Sequence, residues 1–359
     1  MTNPEHPRIG LITQFGSWSA STRARALQYV APLEQQGLEV NVLLADDRPV
    51  RKPGRLGQLR YFASHAVRYL KRYFELRRVL PGLDGVVVQR GAYAMGPGFV
   101  IRPLERFSGR VVYDLDDDLF SLTPSMEGKG RLAQWLYGPQ QAERLVRRAD
   151  AIVVSTKRLV EALPSPHGPV EVLPTVPKVS MYRVSTNGGE PGLVGWAGTT
   201  GGLRYLDPLR DVFAELQASG KGELCVVSSE PWGGPSTFVP WREEEEPTMF
   251  ANWAIGIMPL PDTEYAKAKA GYKLLQYMAS GVACIASPVG VNSELIEASG
   301  AGLLASTPSE WKSAIDRLLS DVELRMEMGR AGRAFIEHYA NPAHHAAVLS
   351  KLLTDQVAM

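Results

Sequence analysis

The runs RIGLIT (8–13), EVNVLLA (39–45), GVVVQR (85–90), GRVVYDLD (109–116), AIVVST (151–156) and VEVLPT (170–175) are short and rich in Val, Ile and Leu. Segments with helical spacing separate them. A strand with apolar residues on both faces must be covered on both, which is the condition of a parallel sheet sandwiched between helices. The theme resumes with LVGWAG, ELCVVSS, WAIGIMPL, VACIASP and AGLLAST. The fold class is therefore α/β, and 359 residues allow two domains of ordinary size. The polar, glycine-bearing stretch VSTNGGEPG (184–192) divides the halves. The expected organisation is a first domain over 1–185 and a second over 186–340, each doubly wound, facing a central cleft. A last helix over 341–359, after the break at Asn341-Pro342, is expected to cross back to the first domain. TRARALQYVAPLEQQG reads as one helix stopped by Gly37.

Composition excludes several classes. Hydrophobic residues make up 45% and charged residues 21%, too apolar for disorder. The net charge of +1 supplies no field for nucleic acid. The two cysteines, Cys225 and Cys284, lie in strand-like runs and read as buried thiols rather than a disulfide. MTNPEHPRIG lacks the apolar stretch of a signal peptide, so a cytoplasmic protein is expected. Between Arg51 and Arg78, nine Lys/Arg and one Glu are interleaved with Tyr, Phe and Leu. That region is a solvated basic helix, a peripheral contact with the inner face of a membrane, or a contact for a phosphorylated acceptor.

The stretch AKAKAGYKLLQYMASG places Lys267, Lys269 and Lys273 around Gly271, where a helix begins at a strand end. A helix start already repels cations, so positive charge gathered there implies an anion such as a diphosphate, or else a solvent-facing lysine loop. On this helix Leu274, Leu275, Met278 and Ala279 form an apolar face, and Lys273, Gln276 and Tyr277 fall on the other.

The series IGIMPLPDTEYAKAKAGYKLLQYMASGVACIASPVGVNSELI, with LVGWAGTTGGLRYL before it and GLLASTPSEW and RMEMGRAGRAFIEHYA after it, resembles family-4 glycosyltransferases. TQFGSWSASTRARALQY and VVYDLDDDLF resemble the family's first domain more loosely. The resemblance implies the GT-B fold, two Rossmann-like domains, and retaining transfer of a sugar from a nucleoside diphosphate-sugar to an acceptor hydroxyl. It implies that Lys269 and Lys273 contact the diphosphate and that two helix ends and these lysines replace a metal ion, with the nucleotide-sugar as co-substrate and no other cofactor. Gln276 stands where the family commonly has a ribose-binding glutamate, and Ala268 where it has another; Glu264 or Asp262 could serve instead. Backbone groups of Val291 and Asn292 would lie near the β-phosphate or the sugar. Gly16, in the first strand-to-helix loop, would let the backbone approach the diphosphate, and Gly198 and Thr199 form the equivalent donor-binding turn of the second domain, or else these are turns chosen for packing.

The run Asp114 to Asp118 follows the strand GRVVY. Asp117, with Asp116 and Asp118, could orient an acceptor hydroxyl, cap the next helix, or bind a metal; no metal is expected. Arg23 and Arg25 could reach phosphate or acceptor, or else lie on the surface as ordinary arginines. Pro231, Trp232 and Trp241 could wall a base pocket. Glu243 to Glu246 read as a solvated helix start, and His167, His344 and His345 as surface. The acceptor could be a carbohydrate, a glycolipid or a natural-product scaffold. Two other readings are an inert sugar-nucleotide-binding protein and a sugar-nucleotide epimerase. A nicotinamide oxidoreductase is disfavoured, because neither GWAGTTGG nor TQFGSWSAS completes G-x-G-x-x-G with an acid about 20 positions on.

Overall fold

The computed structural model describes residues 6–45, 54–94, 96, 98–120 and 139–354. The chain forms two compact units, Met1–Thr175 with Pro342–Met359, and Val176–Asn341. Among the described residues the strands are β1 (Arg8–Thr13), β2 (Glu39–Leu43), β3 (Gly85–Gln89), β4 (Arg110–Leu115), β5 (Ala151–Val154) and β6 (Val170–Val172) in the first unit. The second unit holds β7 (Leu193–Ala197), β8 (Glu223–Ser228), β9 (Thr237–Pro240), β10 (Ile255–Met258), β11 (Ala283–Ala286) and β12 (Gly302–Leu304).

The first sheet runs β2-β1-β3-β4-β5-β6 and the second β12-β11-β10-β7-β8-β9. Every pairing is parallel. Both are doubly wound α/β sheets, with the order of strand addition switching sides between β1 and β3 and between β7 and β10. Alternate residues of the second sheet feed two cores. Val194, Trp196, Val226, Ile257 and Ile285 meet Phe213 and Trp311 on one face. Ala197, Cys225, Val227, Met258 and Cys284 meet Leu274, Tyr277 and Met278 on the other. Both cysteines are free and buried.

Three local expectations are corrected. The helix expected over 22–37 is broken into Ala20–Arg25, a 3₁₀ turn Leu27–Tyr29, and Val30–Glu34. Pro32 has no N–H for the carbonyl of Gln28, so the helix restarts with Pro32 in its first turn. The 184–192 stretch, expected to divide the halves, lies inside the second unit, which begins at Val176. Gly188 accepts a hydrogen bond from buried Arg325, and a Cβ at Gly189 would lie 2.1 Å from the Trp253 carbonyl oxygen. His345 is 3% exposed rather than on the surface, and its Nδ1 lies 2.8 Å from the Tyr29 hydroxyl.

His345 belongs to the helix Pro342–Thr354, whose Leu349, Leu352 and Leu353 join the core of the first unit with Ile9, Leu11 and Val112. Nearby, Arg25 is not at the surface but 2% exposed. It donates to both oxygens of Asp114, Nε to Oδ1 at 2.9 Å and Nη2 to Oδ2 at 2.6 Å. Burial opposes the guanidinium charge, but Asp114 outweighs it and raises the pKa of Arg25.

Burial, reinforced by Arg25 and His344, lowers His345 to about 4. Its unfolded counterpart takes a proton near pH 6.5, whereas the folded imidazole stays neutral until about pH 4. Stability contributed by this site is therefore whole above pH 6.5 and falls as the pH drops toward 4, by at most about 3 kcal/mol. Denaturant unfolding followed from pH 7 to 4.5 should show this decline, and His345→Gln should flatten it. An unchanged slope in the variant would remove His345 as the cause.

Candidate active site

The second unit concentrates its candidate residues at the carboxyl end of its sheet. At the switch point the β7–β10 ladder holds only Ile255↔Val194 and Gly256↔Gly195. Beyond it the strands part, and the hydroxyl of Tyr277 enters the fork. It accepts from Ala197 N at 3.2 Å and donates to the Ile257 carbonyl at 3.4 Å. Gly195 and Gly256 make room for the aromatic layer. A Cβ would lie 1.9 Å from the Trp253 ring at Gly195 and 2.6 Å from the Tyr277 ring at Gly256. Tyr277 is fully buried, and burial pushes its phenol well above the usual range. The expectation that Tyr277 and Gln276 face outward is thus corrected. The helix Tyr272–Ala279 packs against the sheet on one side and the helix Val322–Tyr339 on another, so two faces are covered.

That helix starts at Gly271, in the left-handed region with φ 65°. Its neighbour is the start of the helix Val291–Ser299. A Cβ at Gly271 would lie 3.0 Å from Val291 Cγ2 and 3.6 Å from Asn292 Oδ1. Gly290, with φ 59°, admits the carbonyl oxygen of Lys267 to 2.4 Å from where a Cβ would stand. Two helix amino ends, each carrying about half a positive charge, are thereby fixed side by side. Asn292 is 1% exposed; its Nδ2 donates to the Ser287 carbonyl, and its Oδ1 has no hydrogen-bond partner.

The three lysines differ. Lys267 is held by Asp262 at 3.0 Å and Glu264 at 3.1 Å, which raise its pKa. Glu264 and Asp262 are therefore spent on a lysine and lie far open to solvent. Lys269 sits 4.6 Å from the Tyr265 ring centroid, and Lys273 donates to Gln276 Oε1 at 2.8 Å. Gln276 has no exposure; its Nε2 donates to Glu246 at 2.8 Å and to Tyr182 at 2.7 Å. Glu246 is 5% exposed and also receives Trp241 Nε1 at 3.2 Å. The solvated reading of Glu246 is corrected: the last acid of the run turns inward, and its charge is satisfied by three donors that lead to Lys273.

A hollow of about 400 Å³ opens beside these loops. Arg204, Tyr205, Asp262, Ser287, Ser306 and Trp311 line it, from the ends of β10, β11 and β12 and the 3₁₀ segment Thr200–Leu209 after β7. Arg204, Ser287 and Ser306 carried no sequence signal beyond their place after a strand. Thr199 is exposed at the start of that segment, and Gly198 is demanded by packing: a Cβ there would lie 2.4 Å from the Trp196 ring. Trp232 joins the core, with Nε1 donating to Asp207 at 2.9 Å, and does not line the hollow.

In the first unit the acids end β4. Asp116 accepts from Arg90 at 2.7 Å and from the Ser21 hydroxyl. Burial pushes this carboxyl up, but Arg90 and Ser21 outweigh it and hold it below the usual range. Asp118 is buried and accepts the backbone N–H of Phe120 at 2.9 Å. Asp117, with a quarter of its side chain exposed, lies 3.5 Å from Arg90. Arg23 braces the preceding turn through the carbonyls of Ser17 and Trp18, and Gly16 lies under the Trp18 ring. Asp114, Asp116 and Asp118 are thus committed to cations and amides. Among the described residues, no group of three His, Cys, Asp or Glu is placed to hold a metal ion.

Residues 211–321 match the family described as Glycosyl transferases group 1. No curated protein matches the chain. Its fold is similar to that of sucrose-phosphate synthase from Thermosynechococcus elongatus, at TM-score 0.62 and 15% identity over 97% of this chain and 98% of that one. It is also similar to Anabaena HepE solved with UDP and glucose, at TM-score 0.66 and 14% identity over 98% and 100%. An alpha-glucosyltransferase solved with UDP and DNA gives TM-score 0.67 and 13% identity over 98% and 100%. The chain thus has the GT-B fold, and residues 211–321, within its second unit, are similar to the glycosyl transferases group 1 family.

Proposed function

We propose that the protein is a retaining glycosyltransferase that takes a sugar from a nucleoside diphosphate-sugar, a UDP-sugar first among them, to an acceptor hydroxyl. The observation that carries this reading is the juxtaposition of the helix starts at Gly271 and Gly290 with Lys269 and Lys273 on the loop and first turn between them. Solved proteins of similar fold hold UDP, which favours uracil as the base. The hollow between Tyr205 and Ser287 shares its loops with both helix starts and has room for the nucleoside. Asn292 Oδ1, buried and unpartnered, would accept a sugar hydroxyl.

Cleavage of the sugar–phosphate bond loads negative charge onto the leaving oxygen. Preorganised donors aimed at that charge supply the largest catalytic effects, and here the two amino ends and two ammonium groups would provide them without a metal. Gln276 acts as a positioning residue, its carbonyl holding Lys273 while its amide is tied to Glu246. The leaving phosphate oxygen takes the acceptor's proton as the hydroxyl attacks from the same face, which retains configuration. In the first unit, Asp117 would orient the acceptor hydroxyl, with Asp116 and Arg23 holding its surroundings. The acceptor is a carbohydrate, glycolipid or natural-product hydroxyl.

Incubation with UDP-, GDP-, ADP- and TDP-sugars should raise the unfolding midpoint with one of them and release free nucleoside diphosphate. No shift and no release with any donor would overturn the reading; a shift without turnover on any acceptor would turn it into an inert binder. Lys273→Ala and Lys269→Ala should each cut nucleotide release by roughly 10- to 100-fold, with circular dichroism unchanged. Equal turnover in either variant would remove that lysine from the site. EDTA should leave the rate unchanged, and a loss restored by Mg²⁺ or Mn²⁺ would place a metal in the reaction. Glu246→Ala strands three donors and should lower stability by about 2 kcal/mol in urea melts; a loss below about 0.5 kcal/mol would show the network carries little.

A further inference from the structure

The helix Arg55–Val79 carries seven Lys/Arg and a single acid, Glu75, which pairs with Arg72 at 2.8 Å. One face is clamped to the first unit. His65, Tyr69, Arg72 and Leu76 are buried. The Arg72 guanidinium donates to the carbonyls of Leu43 at 2.7 Å, Ala92 at 3.0 Å and Thr13 at 3.2 Å. Those are the carboxyl ends of β2 and β1 and the turn after β3, so the helix is fixed in place.

The opposite face is apolar and open. Among the described residues, five of the ten large apolar side chains that remain exposed lie on this one helix: Leu56, Phe62, Val67, Leu70 and Phe74, at 62%, 46%, 54%, 48% and 59%. At 3.6 residues per turn, Leu56, Ala63, Val67, Leu70 and Phe74 fall within about 60° of arc, directly opposite the clamped face. Such a stripe is unlike singly scattered surface apolar residues. Arg60, Lys71 and Arg78 follow one flank and Arg77 the other, all exposed. Glu75, the one acid of this helix, is paired with Arg72.

We propose that this helix lies in the surface of an anionic bilayer, with Leu56, Val67, Leu70 and Phe74 below the headgroups and Arg60, Lys71, Arg77 and Arg78 at the phosphates. The charge pattern selects this occupant. A second copy would bury the apolar stripe but set cationic flanks against like charge, whereas a layer of lipid phosphates matches the apolar stripe and both flanks at once. The inference stands apart from sugar transfer, since it rests on residues outside the candidate site.

Sedimentation of the full-length protein with vesicles tests it. Vesicles of 70% phosphatidylcholine and 30% phosphatidylglycerol should bind at least tenfold more tightly than phosphatidylcholine alone, and 0.5 M salt should remove most of the difference. The double variant L70E/F74E should lose at least tenfold in binding with an unchanged unfolding midpoint. Arg60→Gln with Lys71→Gln and Arg78→Gln should abolish the preference for phosphatidylglycerol, and the fluorescence of Phe74→Trp should shift to the blue on vesicles. Equal binding by L70E/F74E, equal binding to both vesicle types, or an unshifted Phe74→Trp spectrum would overturn the proposal. So would a lipid-free dimer that L70E/F74E converts to monomer, because the stripe would then be a contact between copies.

Discussion

The geometry of the candidate site hangs on one phenol. Where β7 and β10 separate after two paired positions, the sheet must leave backbone groups without ladder partners, and a buried unpaired amide or carbonyl is costly. Tyr277 supplies a single hydroxyl that serves both edges, accepting from Ala197 and donating to Ile257. The same side chain belongs to the helix whose first turn bears Lys273. Closing the fork and placing the lysine are therefore one act of folding, and Gly195 and Gly256 are glycine because the aromatic layer occupies their Cβ positions.

From that anchor the charges follow. The helix begins at a left-handed glycine whose missing Cβ lets the next helix start approach, and Gly290 does the same for the loop that carries Lys267. Stacking cations beside helix amino ends is unfavourable in isolation. The chain offsets part of it locally: Lys267 is neutralised by Asp262 and Glu264, and the charge of buried Glu246 reaches toward Lys273 through Gln276. Lys269 and Lys273 thereby flank in sequence a helix amino end at the carboxyl edge of a parallel sheet, where open α/β sheets take their ligands.

Much of this was legible in the residues. Each apolar run quoted from the sequence holds a strand; the inner strands such as β3, β5 and β11 are buried on both faces and write themselves as unbroken apolar runs. β9 escaped notice: Thr237–Pro240 is half exposed and ends in proline, so neither run nor alternation marks it. Periodicity also misjudged Gln276 and Tyr277, since a 3.6-residue pattern reports one buried face and this helix has two. Glu246 resembled the three glutamates before it, and only the fold shows that it alone meets Tyr182, Trp241 and Gln276. Lys267, Lys269 and Lys273 are equivalent as letters. Their partners are set by which carboxylates the turn brings near, and that is a tertiary fact.

The most direct test of the central claim is a structure of the protein with UDP bound. The account places both phosphates over the amino ends of Tyr272–Ala279 and Val291–Ser299, within hydrogen-bonding reach of the Nζ atoms of Lys269 and Lys273. Phosphates found elsewhere, with those two ammonium groups more than about 6 Å away, would contradict it.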